Sequence, residues 1–140
     1  MYISRATKSD IPAIEHLLAP SGKFLFSKRA INKVDLAYQV RNEEGRLVGF
    51  IWCGLMAGKS VGYIDHFCIA PDYAKQGIAQ GLWDHLYKEV KARGIKYLLG
   101  NTANDDHQIK TMVGLSKAAQ SKSVSVKSWP GVIFAWENKE

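Results

Sequence analysis

At 140 residues the chain is sized for one domain with a single sizeable core, and 46% hydrophobic and 23% charged content is ordinary for a soluble globular protein. No apolar run approaches the roughly 20 residues that span a bilayer; two cysteines and four histidines at no ligand spacing exclude a disulfide framework and a metal centre. The net charge of +6 suits anionic ligands, but the basic residues are scattered (Lys117, Lys122 and Lys127 are the densest group), so a solvated surface is expected and nucleic acid is not.

Met1-Tyr2-Ile3-Ser4-Arg5 shows no basic segment followed by an apolar one, so no secretory signal is expected. Residues 2–6 read as a short strand. Ser9 or Asp10 then caps a helix carrying Ile11, Ile14, Leu17 and Leu18, with Pro12 tolerated in the first turn. Residues 20–34 read as irregular, with a short helix around 27–33 as one option; Phe24 and Phe26 either face a cleft or pack on the core. Residues 36–41 alternate as a strand, 43–45 turn, and 47–56 return as a strand apolar on both faces, which suits a covered central position. Residues 63–70 are similar. Cys53 and Cys68 lie in these apolar strands and are read as reduced core residues, as expected of a cytoplasmic protein.

Residues 77–93 form the best helix pattern, with Ala79, Leu82, Trp83, Leu86, Tyr87 and Val90 on one stripe and Gly94 as its stop. A strand over 95–100 follows, then a weaker helix over 105–119 with Ile109, Met112 and Val113 inward. Strands over 124–127 and 132–136 close the chain as a hairpin around Trp129-Pro130-Gly131, and Trp129 and Trp136 make it a candidate homodimer contact. Composition alone gives one domain, α/β or α+β.

Gly54-Leu55-Met56-Ala57-Gly58-Lys59-Ser60 looks like a phosphate-binding Walker loop, but one residue is missing between its glycines and a strand follows where a helix must. Gly58-Lys59-Ser60 reads instead as a hairpin turn. The informative stretch is Ile69-Ala70-Pro71-Asp72-Tyr73-Ala74-Lys75-Gln76-Gly77-Ile78-Ala79, where a strand passes through a small-residue loop into the long helix. The first amides of a helix have no intrahelical partner, and the dipole there favours negative charge, so such a loop suits a phosphate.

These residues resemble the GCN5-related N-acetyltransferase family. Its motif runs roughly apolar-x-Val-x-Pro-x-x-(Arg/Gln)-x-x-Gly-x-(Gly/Ala). Ile69 stands for the Val, Pro71 for the Pro, Gly77 for the Gly and Ala79 for the final small residue, while Ala74 departs from the Arg/Gln. Arg5-Ala6-x-x-x-Asp10-Ile11-Pro12-x-Ile14 is similar to the family's first strand and helix, and the order of elements matches over nearly the whole chain. The resemblance implies a single-domain acyl-CoA N-acyltransferase fold over residues 1–140, an α/β (α+β) protein whose mixed, mostly antiparallel sheet is flanked by helices. It implies acetyl transfer from acetyl-CoA to a primary amine by direct attack, the acceptor being a small molecule or a protein. A member that binds CoA or a protein partner without turnover is the alternative.

The resemblance also implies site residues. The amides of Ala74, Lys75, Gln76, Gly77, Ile78 and Ala79 would hold the pyrophosphate, and the Phe67–Cys68–Ile69 main chain would pair with the pantetheine arm like an added strand. Asn104 either binds that arm or caps a helix. Direct attack needs a neutral amine, so a base must take a proton. Asp65 lies four positions before Ile69, where several similar enzymes place an acidic residue. It is the candidate base or amine anchor, with a structural hydrogen-bonding role as the alternative. His66 is the second catalytic candidate, against a core histidine. Strand alternation would place Asp65 with Tyr63 and Phe67, and His66 with Ile64 and Cys68. The tyrosine that the family usually supplies from its last helix has no counterpart, since no tyrosine follows Tyr97.

Overall fold

The computed structural model describes residues 2–18, 31, 34–56, 58, 60–73, 76–103, 122–128 and 131–137, several of them (18, 56, 65, 99–103 and 122 onward) through the backbone alone. The first strand, β1 (Tyr2–Arg5), leads into a 3-10 turn (Lys8–Asp10) and helix α1 (Ile11–Leu18). Thr7 is the N-cap of the 3-10 turn that leads into α1. Asp10 sits three residues on, its carboxylate accepting the Thr7 N–H at 2.8 Å while its own N–H donates to the Thr7 carbonyl at 2.9 Å. The same carboxylate accepts from Arg41 (Nη2, 2.9 Å) and Gln39 (Nε2, 3.1 Å), which ties the start of α1 to the sheet.

β2 (Leu36–Arg41), β3 (Leu47–Met56) and β4 (Val61–Ile69) form an antiparallel meander. Gly45 at φ +85° and Gly58 at φ +67° supply the left-handed backbone that the two hairpin turns require. The expected bounds of β2 and β3 agree with the structure residue for residue. β2 and β3 supply much of the core: Leu36, Phe50, Ile51 and Trp52 are fully buried.

Helix α2 (Ile78–Ala92) buries Ile78, Leu82, Trp83, Leu86 and Val90. Ile78 thus takes the place expected for Ala79; Ala79 and Tyr87 flank the stripe half-buried. The helix ends as expected at Gly94, φ +66°. The Ile95 N–H donates to the Val90 carbonyl (3.1 Å) and the Gly94 N–H to Lys91 (3.2 Å), with Val90 and Ile95 both buried, which is a Schellman stop. Because Ile95 closes that stop, β5 begins two residues later than expected and runs Tyr97–Ala103. β6 (Lys122–Ser128) and β7 (Gly131–Glu137) form the closing hairpin. Phe24, Phe26, Ala74, Lys75, Asn104, Trp129 and the expected helix over 105–119 lie outside the described residues.

The seven strands lie in the order β1-β2-β3-β4-β5-β7-β6, and β4–β5 is the parallel pair in an otherwise antiparallel sheet. α1 and α2 pack on opposite faces. Tyr38, opposite Ile51 in register, meets His85 of α2 with ring centroids 4.6 Å apart, whereas Gln39, opposite Phe50, bonds Asp10 at the start of α1. Burial, with Glu89 adding to it, pushes the Tyr38 phenol above its usual value. No helix among the described residues is long and apolar enough to cross a membrane.

Candidate functional site

Among the described residues the sheet opens between β4 and β5. The parallel ladder of β4 with β5 runs from Val61↔Tyr97 to Ile64↔Gly100 and stops there, although β4 continues to Ile69 and β5 to Ala103. Beyond that point β4 follows β3, with Phe67 opposite Ile51 and Ile69 opposite Gly49, while Asn101, Thr102 and Ala103 of β5 pair with Ile133, Val132 and Gly131 of β7. The two neighbours therefore part beyond Ile64 and Gly100.

The parting coincides with a β-bulge. Trp52 stands opposite His66 and Cys53 opposite Ile64, so Asp65 is the extra residue of β4. An extra residue resets which side chains share a face. His66 and Cys68 lie on the face of Trp52 and Phe50, and Tyr63, opposite Gly54, joins them; Ile64 and Phe67 lie on the other face, with Cys53 and Ile51. The expectation from simple alternation is corrected accordingly: Tyr63 does not share a face with Phe67, nor His66 with Ile64. The pairing of His66 with Cys68 stands.

His66 is half-buried and stacks on the Trp52 indole, centroids 6.1 Å apart and planes 28° apart. Trp52 in turn donates its Nε1–H to the Asp35 carboxylate at 3.0 Å. Asp35 is buried, and a buried carboxylate needs such donors. Its main-chain carbonyl also accepts from Arg5 at 2.6 Å. Asp35 and Trp52 were not legible as neighbours of the site, because their contact joins a residue just before β2 to one of β3, 17 positions apart.

β4 is followed by Ala70, whose N–H donates to the Val48 carbonyl at 2.8 Å, and the turn Pro71–Tyr73 carries the chain toward α2. Phe67, Cys68 and Ile69 are half-buried; Gln76 and Gly77 are exposed. Gly77 is the N-cap of α2 at φ +79°, with no side-chain cap. A Cβ built on it would meet nothing within 4 Å. The Gln80 carboxamide is engaged with Asp84 at 2.7 Å, and the first turn has no acidic residue. The end of α2 is therefore electropositive and open, as an anion site requires.

A glycine in β3 holds that helix end against the sheet. A Cβ on Gly49 would lie 2.8 Å from Ile78 Cγ2 and 3.2 Å from both Ile69 Cδ1 and Leu82 Cδ1. Gly49 therefore lets the first turn of α2 settle beside the end of β4. An isolated glycine in an apolar strand was the available signal for this contact.

The model of the family described as Acetyltransferase (GNAT) family matches residues 11–112. No curated protein matches the sequence. Among solved structures, the chain is similar to the ribosomal-protein-S18-alanine N-acetyltransferase of Escherichia coli, with a TM-score of 0.70, 17% identity and coverage of 97% of this chain and 92% of that one. It is similar to the diaminobutyrate acetyltransferase EctA of Paenibacillus lautus, solved with its substrate and coenzyme A, with a TM-score of 0.78, 13% identity and coverage of 97% and 93%. An aminoglycoside 6'-N-acetyltransferase complexed with coenzyme A gives a TM-score of 0.71, 16% identity and coverage of 99% and 96%. At such identities these likenesses establish the shared fold.

Proposed function

The chain belongs to the GNAT family of acetyltransferases, and from that premise we propose that it transfers the acetyl group of acetyl-CoA to a primary amine by direct attack. One observation carries this reading: β4 and β5 part after Ile64 and Gly100, and β4 leads on to an α2 terminus that Gly77 leaves open. Strand edge and helix end fit the two parts of the donor. Amides along Phe67, Cys68 and Ile69 suit the pantetheine arm, as in strand addition. The terminus at Gln76, Gly77, Ile78 and Ala79, together with Ala74 and Lys75, suits a diphosphate. Asn104 is retained as a candidate for the arm.

Bound acetyl-CoA supplies a thioester carbonyl as the electrophile. Asp65, at the bulge beside the parting, is the proposed base, taking the amine proton directly or through a water. His66, steadied by Trp52, is the second candidate. Since a bulge re-aims the residues around it, its coincidence with the parting supports this assignment over a purely structural one. The reading places the protein in the cytoplasm, with Cys53 a reduced core residue against Gly62. A second reading, CoA binding without turnover, rests on the absence of any tyrosine after Tyr97 to protonate the departing thiolate.

Acetyl-CoA at about 100 times its Kd should stabilise the fold by about 2.7 kcal/mol, read as a raised melting temperature. Gly77→Glu should abolish that rise, because its carboxylate would occupy the helix end meant for phosphate. Release of thiol across a panel of amines then separates turnover from binding alone. No binding at millimolar acetyl-CoA would remove both readings.

A further inference from the structure

The turn between β2 and β3 is distant in sequence from the α2 terminus yet holds its approach from two sides. Asn42 is itself fixed, its Oδ1 accepting the N–H groups of Glu44 (3.1 Å) and Arg46 (2.9 Å). Its remaining group, Nδ2, donates to the Tyr73 hydroxyl at 3.0 Å. Arg46 grips the preceding residue as a fork, Nη1 to Asp72 Oδ2 at 2.8 Å and Nη2 to Oδ1 at 3.2 Å. Its guanidinium also lies 5.8 Å from the centre of the Tyr73 ring. Two consecutive residues of the turn after β4 are thus gripped by two residues of one hairpin turn.

The hairpin turn does not need these contacts to form, since it closes through Asn42 N–H to the Arg46 carbonyl (2.9 Å) and Gly45 N–H to the Asn42 carbonyl (3.0 Å). Nor do they contribute much to global stability: the Arg46 and Asp72 side chains are 50% and 58% exposed, and such pairs are weak. Their effect is on direction. Tyr73 lies four residues before Gly77, so a grip there limits where the chain can enter α2.

We propose that Asn42 and Arg46 are positioning residues for the donor site, clamping Asp72 and Tyr73 so that the open end of α2 stays aimed at the acetyl-CoA diphosphate. The inference rests on the acetyl-CoA reading above. Without the clamp the binding-competent arrangement becomes a smaller fraction of the ensemble, and apparent affinity falls by that fraction while bound complexes react as before.

The test is calorimetric titration with CoA and steady-state kinetics with acetyl-CoA on the full chain, for wild type, Asp72→Asn, Tyr73→Phe and the reversed pair Arg46→Asp with Asp72→Arg. Each single variant should raise Kd and the acetyl-CoA KM about 2- to 5-fold, the effect of losing one weak, partly exposed contact, with kcat unchanged. The reversed pair should recover most of the Asp72→Asn loss. Tyr73→Phe, which keeps the ring beneath Arg46, serves if Asp72→Asn fails to fold. Wild-type Kd and KM in the folded variants would overturn the clamp and leave acetyl transfer standing, as would a loss confined to kcat. A wild-type protein that binds no CoA would overturn the acetyl-CoA reading, and the clamp with it.

Discussion

Gly49→Ala is the most informative single-atom perturbation, because it pushes on the joint between β4 and α2 without changing a residue of either. The new methyl would stand 2.8 Å from Ile78 Cγ2 and 3.2 Å from Ile69 Cδ1 and Leu82 Cδ1. Comfortable carbon contacts are about 3.5–4.0 Å, so the first turn of α2 must retreat by roughly 0.7–1.2 Å or β3 must yield. Ile78 is β-branched and the Leu82 side chain is fully buried, so rotamer changes give little relief. Overpacking of this kind costs about 1–3 kcal/mol. In a domain of this size, each kcal/mol corresponds to a drop of about 3–6 °C in melting temperature. Urea denaturation gives the stability change, and CoA titration gives the second readout, weakened binding by the displaced helix end. Gly77→Ala is the control, with open space around its Cβ and only the positive φ to oppose it, at about 1–2 kcal/mol. A Gly49→Ala protein with wild-type stability and wild-type CoA affinity would refute the claim that this glycine seats α2.

Asp65→Asn should lower turnover about 100- to 10,000-fold and remove an ionisation from the pH–rate profile while leaving CoA affinity unchanged; a raised acceptor KM alone would make it an anchor, and lowered stability at normal specific activity would make it structural. Arg46 holds the Asp72 carboxyl below its usual range, chiefly by their hydrogen bond. The sign follows from that lowering: the ion pair contributes above the unfolded pKa, and its contribution is lost as pH falls through the lowered folded value. An NMR titration of Asp72 should therefore show protonation below the ordinary aspartate value in wild type and a shift upward toward it in Arg46→Gln; identical curves would refute the pairing.

What the sequence made legible was local. β2 showed its full length through alternation and β3 through a continuous apolar run, each bounded by turn residues. The loop before α2 was legible for the same reason, since Pro71, Gly77 and Ala79 signal it within nine residues. The start of β5 was misplaced because Ile95 looks like a strand residue, and only the backbone bonds at Gly94 show that it closes a helix. The bulge at Asp65 has no local signature. It exists because β3 and β4 pair in two registers, and it reversed the facing of every β4 residue on one side of it. The parting of β4 and β5 is less local still, requiring β7, 28 to 32 residues downstream of its partners, to draw Asn101, Thr102 and Ala103 away. The Asn42–Tyr73 and Arg46–Asp72 contacts likewise span 31 and 26 residues.

The most direct test of the account is an amide NMR titration of the wild-type protein with CoA. It predicts saturable shifts concentrated at Asp65, His66, Phe67, Cys68 and Ile69 along β4, and at Gln76, Gly77, Ile78 and Ala79 at the α2 terminus. Smaller shifts should follow at Gly49 and Tyr73, which hold those segments. Saturable shifts centred elsewhere, or none at millimolar CoA, would contradict a donor site between the parted strands.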